Sequence, residues 1–160
     1  MNNIRIVELP ACTMASSGYA IGEEPFQEGG THRRFEAWWT AYDKLRSDRW
    51  FSRDFLMYGR EEKALAWLYA LPKGFDCDCP FPIIDFAGGY YATGTTINDN
   101  SGDEERVYNA IKEWIEQSGI FALDEYPGHY DMTHVITPTP IAEALGYRQM
   151  EMYVPIKLLG

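Results

Sequence analysis

The alternation of apolar and polar positions divides the chain into two similar series of elements. Residues 4–15, IRIVELPACTMA, read as a strand in which Pro10 marks an edge or a break. Residues 16–30, rich in glycine and serine and containing Pro25, read as a long loop. Over residues 31–47 the period lengthens. Phe35, Trp38, Trp39, Tyr42 and Leu45 fall on one face of a helix. Period-two runs return at 54–60 (DFLMYGR) and 64–71 (ALAWLYAL). The second is stopped by Pro72, and its composition would also suit a short helix. Residues 73–82, with Gly74, Pro80 and Pro82, form a linker.

The series then recurs. IIDFAGGYYA at 83–92 lies over IVELPACTMA at 6–15, with Ile83 on Ile6, Ile84 on Val7, Asp85 on Glu8, Phe86 on Leu9 and Ala92 on Ala15. A turn-rich loop, 93–102, leads to a second helix at 103–118. Ser101 and Glu104 make a capping-box pattern, acids fill the first turn, and Gly119 is a stop signal. Val107, Ala110, Ile111 and Trp114 repeat the phase of the first helical stripe. Strands at 130–136 and 149–157 close the series, with Pro138 and Pro140 breaking the chain between them. Strand, helix, strand, strand, twice over, predicts one α+β domain over 1–160. Its two β-α-β-β halves, about 1–75 and 80–160, would be related by a pseudo-two-fold axis. The sheet would be antiparallel, with both helices on one face and a ligand groove on the other.

The last strand carries the most unusual residue. Met150, Met152 and Val154 share one face; Gln149, Glu151 and Tyr153 share the other. Glutamate is depleted in strands and avoids burial. Glu151 therefore meets water from a one-sided sheet, or faces a cavity where negative charge is wanted.

Composition narrows the chemistry. The 160 residues are 46% apolar, enough for a real core, and carry 24 acids against 14 bases, a net charge of −10. That balance argues against nucleic-acid and membrane-surface partners and suits a cationic ligand. The sequence shows no signal segment and no run approaching a membrane span, and its three cysteines do not make a disulfide framework, so a reduced, cytoplasmic protein is expected. Five Trp, eleven Tyr and eight Phe fit core packing and aromatic-walled pockets alike. Cys77-Asp78-Cys79 lacks a second thiol pair, and the strand phase keeps His129, Asp131 and His134 from converging, so no metal is expected. No phosphate-binding loop or serine nucleophile elbow occurs, and GGYY does not open a helix, so no cofactor is expected either.

IRIVELPA, IIDFAGGYYATG, IKEWIEQSG and EMYVPIK, in this order and spacing, resemble the gyrase-inhibitor-like small-molecule-binding domain. That domain also serves as the effector-binding module of AraC- and MerR-type multidrug transcription regulators. The resemblance spans nearly the whole chain. It implies a central last strand whose helix-free face lines the groove, so that Glu151 and Tyr153 point into it. One of Tyr90 and Tyr91 would face the same cleft. In YPGHYDMTHVI, Asp131 takes the place where the family usually has a Glu. For Trp67 and Tyr69 two arguments conflict. Small Ala66, Leu68 and Ala70 beneath a helix would leave both aromatics walling the groove. Matching Pro72 to Pro155 puts them instead on the Met150/Met152 side, in the core.

No DNA-binding helix-turn-helix precedes the first strand, so the resemblance implies a stand-alone sensor or sequestering protein for amphipathic aromatic or cationic drug-like molecules. Two alternatives remain open. One is a hydrolase of reactive cyclopropane-containing natural products, with Glu151 and Tyr153 as general base and acid. The other is a protein-binding modulator of gyrase, engaged through the acidic surface.

Overall fold

The computed structural model describes residues 3–48, 53–75 and 78–160. The elements are β1 (Arg5–Leu9), β2 (Cys12–Tyr19), α1 (Thr31–Asp43), β3 (Asp54–Gly59), β4 (Ala64–Ala70), β5 (Ile83–Phe86), β6 (Gly89–Ile97), α2 (Ser101–Ser118), β7 (Phe121–Leu123), β8 (Met132–Val135), α3 (Thr139–Leu145) and β9 (Gln149–Leu158). The fold is α+β with antiparallel strand pairing. Contacts group the chain into two compact units: residues 3–9 with 89–160, and residues 10–88.

In the first unit the strand order is β1-β6-β9-β8, and β7 pairs with the same edge of β9 beyond β8. α2 lies on one face of this sheet. Its Val107, Ile111 and Ile115 pack against Ala92 of β6 and Met152, Val154 and Ile156 of β9. Full burial of a side chain such as Ile111 stabilises by roughly 1.5–3 kcal/mol. Gly94 on β6 lets α2 come this close, since a Cβ there would lie 2.9 Å from Val107 Cγ1. In the second unit the order is β5-β2-β4-β3. α1 covers one face, with Phe35 buried against Ala15, Trp67, Tyr69 and Leu71.

The internal match in the sequence is carried into the pairing. Ile6 pairs with Ala92, and Ile83, its counterpart, pairs with Ala15, the counterpart of Ala92. Each opening strand breaks after its fourth matched residue, at Pro10-Ala11 and at Ala87-Gly88, and the two pieces join different units. Gly88 and Gly89 take φ of 67° and 124° at the second break, values that a side chain would resist. The units therefore do not coincide with the sequence halves, because β1 pairs in the unit of the second half and β5 in that of the first.

Several elements differ from the expectation. α1 stops at Asp43, leaving Leu45 outside the helix and exposed. The cap of α2 is Asn100, whose Oδ1 accepts from the Asp103 amide at 3.0 Å; Ser101 lies inside the helix, and Gly119 ends it at φ 64°. β2 and β6 run on into residues read as loop. α3 forms where two prolines suggested only a break. Pro138 is its cap and Pro140 lies in its first turn, where a missing amide hydrogen costs nothing. Of the cysteine pair, Cys77 lies outside the described residues. Among the described residues, no three His, Cys, Asp or Glu side chains are grouped as metal ligands, and no helix is long and apolar enough to cross a membrane.

Candidate functional site

Antiparallel register decides which side chains share the face that α2 leaves open. Met152, Val154 and Ile156 lie under α2, so Glu151, Tyr153 and Pro155 stand on the opposite face. Across β6 their partners are Thr95, Thr93 and Tyr91; across β8, His134 and Met132 lie opposite Glu151 and Tyr153. Arg5 of β1 is opposite Thr93 and extends the face by one strand. From Pro155 to Glu151 the row is about 13 Å long at strand rise.

One end of the row is aromatic. Tyr91 packs edge-on against Tyr153, ring centres 6.2 Å apart, and tilts against His129 at 5.9 Å. The turn Tyr126-Pro127-Gly128-His129 returns the chain on itself, so that the Tyr126 and His129 rings stack at 4.6 Å. Asp124 approaches His129 at 4.0 Å and Lys157 at 3.8 Å. Burial holds the His129 pKa below its usual value, and Asp124 only partly opposes this. Burial likewise raises the Tyr91 pKa, helped by Tyr126 and Asp124.

The other end is charged. Glu151 is 5% exposed, and its Oε1 accepts from Arg5 Nη2 at 2.5 Å. The pair is lopsided: the Glu151 side chain is 7% exposed and that of Arg5 66%. Two strand spacings, about 9–10 Å, separate β1 from β9. The arginine thus reaches across β6 to make the contact. Between the two ends lie Tyr153, Thr93 and Met132. The Tyr153 pKa is pushed up to about 12, by burial first and by Glu151 second, with Arg5 opposing. The hydroxyl therefore remains a donor at neutral pH. Thr93 is fully buried, and its Oγ1 has no hydrogen-bond partner among the described residues. The face thus gathers buried tyrosine rings, a buried carboxylate and an unused hydroxyl.

The residues singled out from sequence fall in different places. Glu151 and Tyr153 share the helix-free face, and of the adjacent tyrosines Tyr91 is buried there while Tyr90 is largely exposed. Asp131 precedes β8 and is out of phase with Met132 and His134, which removes it from the Glu151 side. Trp67 and Tyr69 stand under α1. Trp67 Nε1 donates to Asp54 at 3.0 Å, and the Tyr69 hydroxyl donates to Asp43 at 2.8 Å and receives Arg46. Their register explains why. Ala15 pairs with Tyr69 as Ala92 pairs with Val154, so Tyr69 corresponds to Val154 and Trp67 to Met152. The proline match is off by two residues, which preserves the face, and the packing reading is the one that the structure takes. Sequence reasoning passed over Arg5 and Thr93 and weighed His134 only as a metal ligand. The available signal was a basic residue in an apolar first strand and an acidic one in the last.

No protein-family model and no curated protein sequence matches the chain. Its fold is nevertheless shared by solved structures and fits the gyrase-inhibitor-like fold. Over 99% of both chains it resembles the EcmrR C-terminal domain, at TM-score 0.66 and 12% identity. SAV2435, solved bound to tetraphenylphosphonium, gives 0.54 and 12% over 97% of this chain and 94% of that one. A hydrolase from Listeria innocua gives 0.65 and 12%, over 96% and 91%.

Proposed function

We propose that this protein binds small amphipathic molecules on the helix-free face around Tyr91, Tyr153 and Glu151, and that Glu151 receives a positive group. The observation that carries this is the carboxylate itself, 5% exposed on a strand face lined by tyrosine rings and an unused threonine hydroxyl. Burying a carboxylate costs several kcal/mol unless a cation or donors meet it, and aromatic faces add cation–π attraction. The tetraphenylphosphonium held by SAV2435, which has the same fold, is a ligand of this chemistry. Sensing or sequestering a lipophilic cation is the role that this reading gives the chain.

The test is Glu151→Gln, titrated calorimetrically with tetraphenylphosphonium and with neutral triphenylphosphine oxide. The substitution should weaken the cation more than the neutral compound, by about 1–3 kcal/mol, the Coulomb attraction of a carboxylate for a bulky cation several ångströms away at intermediate dielectric. Equal losses for both, or none, would remove Glu151 from the site.

A further inference from the structure

We infer that Arg5 is a built-in occupant of the cation site: its guanidinium holds Glu151 while the face is empty, and a cationic ligand must displace it. This rests on the binding reading above and adds to it how the site is regulated.

Three features support it. The first is the asymmetry of the pair. Glu151 is buried and fixed in β9, with a neighbouring strand on either side, whereas Arg5 is two-thirds exposed and rides on β1, the five-residue end strand of its unit. Releasing the guanidinium needs only rotation of an exposed side chain; moving the carboxylate would need the sheet to move. The second is reach. The arginine stem crosses β6 to meet a carboxylate two strands away, so it lies over the face that a ligand would use. The third is what surrounds it. Thr95, directly opposite Glu151, is exposed, and Thr93, directly opposite Arg5, is buried with an unused hydroxyl. Solvent and polar groups thus border the ion pair, and a cation can enter as the guanidinium leaves.

The chemistry then sets selectivity. With Arg5 in place the carboxylate is already neutralised, so a neutral aromatic molecule meets no unpaired charge. A cation must compete with a tethered guanidinium, whose effective concentration is on the order of millimolar. Arg5 thus lowers affinity for cations and sets a threshold for their capture. It also keeps Glu151 from being stranded without a partner when the site is empty.

The experiment compares wild type, Arg5→Ala, Glu151→Gln and the double variant, titrated with tetraphenylphosphonium and triphenylphosphine oxide. Arg5→Ala should bind the cation about tenfold tighter, the scale of one charge-assisted hydrogen bond. The neutral compound should gain nothing and bind no tighter, because it would cover a carboxylate left without its partner. In the Glu151→Gln background, the Arg5 substitution should make no difference. Methylguanidinium at millimolar concentration should compete with tetraphenylphosphonium in Arg5→Ala and not in wild type. Should Arg5→Ala unfold, Arg5→Gln keeps most of the stem and makes the same comparison. Unchanged or weaker cation binding by the Arg5 variants, with Glu151→Gln still costing affinity, would overturn this inference and leave the binding reading standing. Absence of binding of either probe to any variant would end both.

Discussion

Tyr153 gives the site a signature in pH. Its phenol titrates at about 12 in the fold, against about 10 in an unfolded chain. Between those values the folded state holds the extra proton, so the stability tied to Tyr153 is complete below pH 10 and falls as pH rises toward 12. Tyr153→Phe should therefore flatten the alkaline loss of stability, read as denaturant midpoints between pH 9 and 11; parallel slopes for the two proteins would contradict it. Tyr69, also raised to about 12, should contribute a second, separate part of the same loss. At this scale the strand face that Glu151 shares with Tyr153 was legible, because a charge inside an apolar period-two run is conspicuous on one strand alone. Arg5 was not, since its contact joins residues 146 positions apart. Thr93 was read as the start of a loop because threonine and glycine cluster there, yet hydrogen bonding to β9 keeps Thr93 to Ile97 in strand.

Among the elements, the packing of α2 on β6 has its narrowest point at Gly94. Gly94→Val would drive new atoms into Val107 and Ile111, the latter 3.3 Å from the Cβ position alone. Overpacking of this kind costs about 1–3 kcal/mol. A lowered denaturant midpoint with an unchanged slope is expected, and wild-type stability would mean that α2 moves freely on the sheet. Both long helices could be read from sequence because their apolar stripes repeat over several turns. α3 and β7 could not. A seven-residue helix entered through Pro140 and a three-residue strand are too short to display a period, and both exist because tertiary contacts hold them. Strand faces are the most fragile inference from a single sequence. Trp67 and Tyr69 needed the Ala15–Tyr69 pairing to be assigned, and that pairing is visible only in the fold.

At the scale of the whole molecule, the two units present different helix-free faces. That of the first carries Arg5, Glu151, Thr93 and the tyrosines; that of the second is Met14, Phe55, Met57, Ala66 and Leu68, all buried. The recurrence of strand, helix, strand, strand was legible because its apolar residues match one for one at Ile6/Ile83 and Ala15/Ala92. The exchange of β1 and β5 between units was not, because a strand's own pattern is silent about its neighbour.

That exchange has a kinetic consequence. β1 ends at Leu9 and its partner begins at Gly89, so during synthesis the first strand leaves the ribosome about 80 residues before it can pair. At about 5–20 residues per second this is a wait of roughly 4–16 s. Meanwhile β3 and β4, joined by residues 60–63, can close as a hairpin. In pulse-labelled hydrogen exchange during refolding, the amides of β1 should gain protection after those of β3 and β4, since the longer loop is entropically slower to close. Simultaneous protection would show that the strand docks early. Arg5 waits longer still, because Glu151 follows it by 146 residues. A nascent chain therefore lacks this ion pair until β9 has been made.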